Sequence, residues 1–113
     1  MIKSAGELIS DAQTKINCVD ANAAKLLYQN SNNSVIIDVR ELDELKGGRI
    51  EDSIHMPLGL CIRNTKKKQI EDMKDKKICT YCGTGYRGNI AADELNKEGF
   101  NAVTLDGGYS TWT

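Results

Sequence analysis

Three short strand-like runs, the first of them nearly continuously apolar and rich in β-branched residues, constrain the fold of this chain more than any other feature. They occupy residues 35–39, 77–81 and 101–105. Runs of this length without a polar face are typical of strands buried on both sides, as in parallel sheets. Segments with helical spacing separate them, which indicates βα units. The sequence therefore predicts an α/β fold with a small central, mostly parallel sheet of about five strands and helices on both faces.

The segments between these runs carry helix patterns with defined ends. Asp20 is a predicted N-cap for a helix that begins at Ala21 and ends before the polar stretch from Gln29. Gly99 is a predicted C-cap for a helix over residues 87–98. The remaining predicted elements are helices over residues 4–16, 41–46 and 66–74, and a brief strand over residues 53–56 that ends before Pro57.

Length and charge limit the classes of function. The chain has 113 residues, so we expect one domain over residues 1–113, with residues 1–16 as an extra N-terminal helix. The formal net charge of -1 gives no electrostatic reason to expect nucleic acid or an anionic membrane as a partner. No apolar run approaches the roughly 20 residues that cross a bilayer, and residues 1–13 do not resemble a signal peptide. We therefore expect a cytoplasmic protein.

The chain contains four cysteines, at positions 18, 61, 79 and 82. In a reducing compartment, such cysteines are buried small apolar residues or reactive thiols more often than disulfides. A four-cysteine zinc site needs two close pairs, and here only Cys79 and Cys82 are close in sequence. The sequence therefore predicts no metal site.

The segment most informative about chemistry begins at Cys82, between the strand over residues 77–81 and the helix over residues 87–98. In open α/β sheets, sites form beyond the carboxyl ends of the strands. A cysteine just before a helix also faces unpaired backbone N–H groups and the positive end of the helix dipole. Both favour the thiolate, which is the nucleophilic form.

The residues after Cys82 have the composition of an anion-binding loop. Gly83 and Gly85 permit positive φ angles, so that backbone N–H groups can turn inward around an anion. The planar guanidinium of Arg87 suits a sulfonate or a sulfate-like group. By itself, the spacing of five positions between Cys82 and Arg87 is also compatible with a simple strand-to-helix turn. The predicted substrate-binding residues of the loop are Gly83, Thr84, Gly85 and Tyr86, of which Thr84 and Tyr86 are expected to point outward or along the rim.

Four segments in the same order resemble the rhodanese family. Residues 35–41 are similar to its first signature, a strand that ends in Asp-Val-Arg, here Asp38 to Arg40. Residues 48–57 resemble its second signature, residues 82–87 its active-site loop, and residues 105–112 its closing signature with Gly-Gly-x-x-x-Trp. The resemblance extends over almost all of residues 20–112.

This resemblance implies a sulfurtransferase. Cys82 would accept a sulfur atom from thiosulfate or a persulfide donor and pass it to cyanide or to a thiol, by covalent catalysis. The backbone N–H groups of the substrate-binding loop, from Gly83 to Gly88, would stabilise the persulfide anion, and the catalytic Arg87 would help to hold the donor. Asp38 and Arg40 would order the loop from behind through an ion pair or a hydrogen bond. The resemblance implies no cofactor and identifies no protein partner.

Three alternatives remain beside this interpretation. Dual-specificity phosphatases share the architecture, but they place five residues between cysteine and arginine, whereas this chain has four. Cys79 and Cys82 form a Cys-x-x-Cys pair that is compatible with dithiol redox chemistry. Finally, some rhodanese-like domains are binding modules without catalysis, although these commonly lack the cysteine.

Overall fold

The computed structural model describes residues 18–29, 32–63 and 71–112. Within these ranges, no helix is long and apolar enough to cross a membrane. The strands are β1 (Cys18–Val19), β2 (Ser34–Asp38), β3 (Ile54–His55), β4 (Lys77–Tyr81) and β5 (Asn101–Leu105). The helices are α1 (Ala21–Leu27), α2 (Leu58–Arg63) and α3 (Tyr86–Lys97), with 3-10 helices at Leu42–Gly47 and Gly108–Thr111.

The strands form one five-stranded parallel sheet in the order β1-β5-β4-β2-β3. β4 lies at its centre, paired with β2 from Ser34↔Lys77 to Asp38↔Tyr81 and with β5 from Lys77↔Asn101 to Thr80↔Thr104. The carboxyl ends of β2 and β4 therefore lie side by side, and the loops that follow them share one edge of the sheet.

Two apolar layers cover the two faces of the sheet. Because side chains alternate along a strand, Ile37 and Ile78 face α2 and α3, whereas Ile36 and Cys79 face α1. The layer beside α3 also contains Cys61 and Cys82, and the layer beside α1 also contains Tyr81 and Leu105. The predicted fold class, a parallel sheet of five strands with helices on both faces, is confirmed.

Several predicted elements differ in detail from the structure. The short helix predicted over residues 41–46 is a 3-10 helix over Leu42–Gly47. The strand predicted over residues 53–56 is reduced to Ile54–His55. The predicted helix over residues 4–16 lies outside the described residues, as does most of the one over residues 66–74. Gly99 follows the C-cap residue Glu98 of α3 and has a φ of 94°, which matches its predicted role at the helix end.

Candidate active site

The loop between β4 and α3 carries the candidate nucleophile. Cys82 directly follows β4, and Gly85, with a φ of 116°, is the N-cap residue of α3. The Gly85 N–H donates a hydrogen bond to the Cys82 Sγ, with 3.0 Å between nitrogen and sulfur. The loop thus turns at least one backbone donor onto the sulfur. Gly85 uses the positive φ that glycine permits, whereas the backbone of Gly83 stays outside the left-handed region.

The sulfur lies below the surface, and the loop side chains lie above it. Cys82 is only 1% exposed and belongs to the apolar layer between the sheet and α3. Thr84 is exposed and Tyr86 is 54% exposed, so both side chains point away from the protein interior. An anion near Cys82 would therefore meet the loop backbone rather than these two side chains.

Arg87 is joined to an acidic residue that the sequence did not indicate. Its Nη2 donates to the Glu44 Oε2 at 2.7 Å, and its Nη1 donates to the Glu44 Oε1, which makes a two-bond ion pair. These hydrogen bonds lower the pKa of Glu44 to about 2 and raise the pKa of Arg87. Both groups are therefore charged throughout the neutral pH range.

Asp38 and Arg40 form a buried ion pair behind the loop. The Arg40 Nη2 donates to the Asp38 Oδ2 at 2.8 Å, and Asp38 is fully buried. The Tyr81 hydroxyl also donates to that carboxylate oxygen, at 2.7 Å, and accepts from the Ile50 N–H at 3.1 Å. Burial alone would raise the pKa of Asp38, but the hydrogen bonds from Arg40 and Tyr81 outweigh it and hold that pKa below its ordinary value.

The Asp38–Arg40 pair also fixes the segment that carries Glu44. The Arg40 Nη2 donates to the Gly48 carbonyl at 2.8 Å, just after the 3-10 helix that contains Glu44. His55 lies beside Arg40, with its Nε2 at 2.8 Å from the Arg40 carbonyl oxygen. The buried pair therefore anchors this 3-10 segment next to the Cys82 loop.

Gly88 has a packing role that differs from its predicted place in the substrate-binding loop. It is buried in the first turn of α3, where an added Cβ would lie 2.6 Å from the Thr104 Oγ1 and 3.2 Å from the Tyr81 Cα. Its carbonyl accepts a hydrogen bond from the Thr80 Oγ1 at 2.7 Å. A side chain at this position would push α3 away from the sheet, which explains the glycine without reference to a substrate.

The last turn of the described chain supports the loop from its other side. The Tyr109 N–H donates to the Cys82 carbonyl at 2.7 Å, and the Ser110 N–H donates to the Gly83 carbonyl at 3.2 Å. Gly108, with a φ of 65°, allows this contact, because an added Cβ would lie 2.4 Å from the Cys82 carbonyl oxygen. The Gly107-Gly108 pair belongs to the closing signature, which by itself indicates no contact with the loop.

The other cysteines differ from Cys82 in their surroundings. Cys79 lies in the layer beside α1, on the opposite face of the sheet from Cys82. Burial raises the pKa of Cys79 to about 12 and that of Cys61 to about 11. Cys18 is exposed. Across residues 18–29, 32–63 and 71–112, no three His, Cys, Asp or Glu side chains cluster as metal ligands would.

Fold and site together define a class of protein: parallel α/β domains that place a cysteine and an arginine in one loop at the start of a helix. The profile of the rhodanese-like domain matches residues 20–113. The chain belongs to the rhodanese-like domain family.

Two relatives and one solved structure illustrate the similarity. A putative thiosulfate sulfurtransferase, mitochondrial, of Schizosaccharomyces pombe is 33% identical over 90 residues, which cover 71% of this chain and 63% of that protein. A putative sulfur carrier protein of Bacillus subtilis is 28% identical over 113 residues, or 99% of this chain and 59% of that protein. This chain thus spans less than two thirds of either relative.

The solved structure is a Rhodopseudomonas palustris protein described as a possible tyrosine phosphatase. It superposes with a TM-score of 0.88 at 21% identity, over 99% of this chain and 90% of that one. At this identity, the similarity shows the fold alone.

Proposed function

We propose that this protein is a sulfurtransferase in which Cys82 carries the sulfur as a persulfide. The Cys82 thiolate attacks the outer sulfur of the donor, a new S–S bond forms at Cys82, and the donor's own sulfur–sulfur bond breaks. With thiosulfate, sulfite leaves with the electron pair of that bond. With a persulfide donor, a thiolate leaves instead. The outer sulfur of Cys82 then passes to a thiol or to cyanide, which regenerates the thiolate.

The hydrogen bond from the Gly85 N–H to the Cys82 Sγ is the observation that carries this proposal. A donor aimed at the sulfur stabilises negative charge there, both on the thiolate and on the persulfide that replaces it. The sulfur also lies at the N-terminal end of α3, a 12-residue helix whose dipole favours an anion. The loop and the start of α3 thus both favour an anionic sulfur at Cys82.

The donor and acceptor classes follow from the site and from the relatives. Arg87 is the candidate group for the anionic end of a donor, and a small-molecule donor fits the short loop. One relative is named a putative thiosulfate sulfurtransferase and another a putative sulfur carrier protein. We therefore propose thiosulfate or a persulfide as the donor and a thiol as the acceptor, with cyanide as a usable assay acceptor. We further propose that residues 1–113 act as a single domain.

Intact mass spectrometry after incubation with thiosulfate tests the proposal. Wild-type protein is expected to gain one sulfur atom, about 32 Da, as a reversible persulfide. Cys82→Ser should gain none, and Cys79→Ser should gain as much as wild type. Transfer of the added sulfur to cyanide, measured as thiocyanate, completes the cycle. Absence of the gain with thiosulfate and with several persulfides would refute the sulfurtransferase.

Two companion measurements, mild oxidation and aryl phosphate hydrolysis, separate the alternatives. A dithiol redox protein would lose two hydrogens on mild oxidation and would need Cys79 as well as Cys82. The structure gives this alternative no support, since the two cysteines belong to layers on opposite faces of the sheet. A phosphatase would release phosphate from an aryl phosphate, whereas the four-residue spacing to Arg87 makes a ring better suited to a single sulfur atom. A binding module without catalysis would show neither activity.

A further inference from the structure

The ion pair between Glu44 and Arg87 occupies the arginine that a sulfonate would need. Both terminal nitrogens of Arg87 donate to the two carboxylate oxygens of Glu44. This is the same two-bond geometry with which a guanidinium binds a sulfonate or a sulfate. An anionic donor group near the loop would therefore compete with Glu44 for Arg87.

The pair lies beside Gly83 of the loop. An added Cβ at Gly83 would be 3.8 Å from the Glu44 Oε2 and 4.0 Å from the Arg87 Nη2. Gly83 follows Cys82 directly, so the pair is next to the peptide that carries the nucleophile. The two side chains are 36% and 33% exposed, which leaves them within reach of a donor that arrives from solvent.

Glu44 is held in this position by its own segment. Its Oε1 accepts a hydrogen bond from the Glu41 N–H at 3.1 Å, and its backbone N–H donates to the Glu41 carbonyl at 3.1 Å. The Arg40 bond to the Gly48 carbonyl fixes the far end of the same 3-10 helix. Because the pKa of Glu44 is about 2, its negative charge persists at neutral pH. The carboxylate is thus a fixed charge beside the loop.

We propose that Glu44 determines donor specificity, by disfavouring thiosulfate relative to a persulfide without an oxyanion group. This inference rests on the proposed function. A thiosulfate dianion must displace Glu44 from Arg87 or bind beside a carboxylate, and both cost binding free energy. A small persulfide has its negative charge only on sulfur and carries no oxyanion, so it needs no part of Arg87.

The test compares two donors in single-turnover loading of Cys82, followed by rapid quenching and intact mass. The donors are thiosulfate and the persulfide of 2-mercaptoethanol, each over a range of concentrations. In Glu44→Gln, the half-saturating concentration of thiosulfate should fall about fivefold, because Arg87 no longer forms a partly exposed ion pair with a carboxylate. For the 2-mercaptoethanol persulfide, the change should stay within about twofold.

Two further variants control for charge and for folding. Asp43→Asn removes one negative charge from the exposed surface of the same 3-10 helix. It should leave the half-saturating concentrations of both donors unchanged. Glu44→Asp keeps the carboxylate and should keep thiosulfate binding weak. Equal changes for both donors in Glu44→Gln, or weaker thiosulfate binding, would overturn the specificity role while leaving the sulfurtransferase intact. Failure of both donors to load wild-type protein would instead refute the sulfurtransferase itself.

Discussion

The backbone N–H of Tyr109 donates a 2.7 Å hydrogen bond to the carbonyl oxygen of Cys82. The candidate nucleophile is therefore held from two sides, by the Gly85 amide at its sulfur and by the Tyr109 amide at its carbonyl. Tyr109 is 27 positions further along the chain, in the 3-10 helix that follows β5. The closing turn thus helps to set the shape of the loop.

This contact predicts that Gly108 tolerates no side chain. Gly108→Ala would place a Cβ 2.4 Å from the Cys82 carbonyl oxygen, at a φ of 65°. Strain and steric displacement should lower the free energy of unfolding by about 3 kcal/mol and slow sulfur loading of Cys82. Urea unfolding and intact mass measure the two effects.

Gly47→Ala is the matched control for this change. An added Cβ at Gly47 has no atom within 4 Å, and the residue has no positive φ. The variant should change the free energy of unfolding by less than about 0.5 kcal/mol. Equal stability of the two alanine variants would show that the closing turn does not hold the loop.

Acid should remove the stabilisation that Glu44 gains from Arg87. The folded-state pKa of Glu44 is lowered from 4.5 to about 2, so this stabilisation is complete above pH 4.5 and is lost as the pH falls towards 2. Solvent screens the pair, so the effect on stability is small. The melting temperature of wild type should exceed that of Glu44→Gln near neutral pH, and this difference should shrink below pH 4.5. If the difference in melting temperature stayed constant down to about pH 2, the charged Glu44–Arg87 pair would contribute nothing to stability.

The buried thiols should be unreactive in the native state. With a pKa of about 11 for Cys61 and about 12 for Cys79, the thiolate fractions at pH 8 are roughly one thousandth and one ten-thousandth. Iodoacetamide should therefore leave both cysteines unmodified in the folded protein and modify both in urea, as peptide mapping would show. Rapid modification of native Cys79 would indicate that β4 opens around this residue, and would favour the dithiol alternative.

The sequence predicts the sheet well because most of its strands are locally encoded. β2, β4 and β5 each coincide with an apolar run, and their limits differ from the prediction by at most one residue. β1 had no such signal, since Cys18–Val19 is a strand only through its pairing with Thr104 and Leu105. A two-residue strand defined by a distant partner leaves no periodic pattern of its own.

The same distinction applies to the site. Cys82, Gly85 and Arg87 are neighbours in sequence, so their common loop is predictable from the spacing alone. Glu44 meets Arg87 across 43 positions, and Tyr109 reaches Cys82 through a backbone amide that any residue could supply. Such contacts depend on how the loops after β2, β4 and β5 come together at one edge of the sheet.

The buried network around Tyr81 gives a last prediction, on stability. Tyr81→Phe removes the hydroxyl that donates to the Asp38 carboxylate and accepts from the Ile50 N–H. In this variant Arg40 still pairs with Asp38. However, the buried Asp38 carboxylate loses one donor and the buried Ile50 N–H loses its acceptor. Together these losses should lower the free energy of unfolding by about 2 kcal/mol. Urea unfolding measures this loss.

Tyr86→Phe is the control, because Tyr86 is 54% exposed and its hydroxyl is within reach of solvent. Its unfolding free energy should stay within about 0.5 kcal/mol of wild type. Because Tyr81 immediately precedes Cys82, Tyr81→Phe should also slow sulfur loading of Cys82. If the hydroxyl affected only local stability, the loading rate of the folded fraction would stay unchanged. A loss below about 0.5 kcal/mol for Tyr81→Phe would mean that Arg40 alone satisfies Asp38 and that the hydroxyl does not anchor the end of β4.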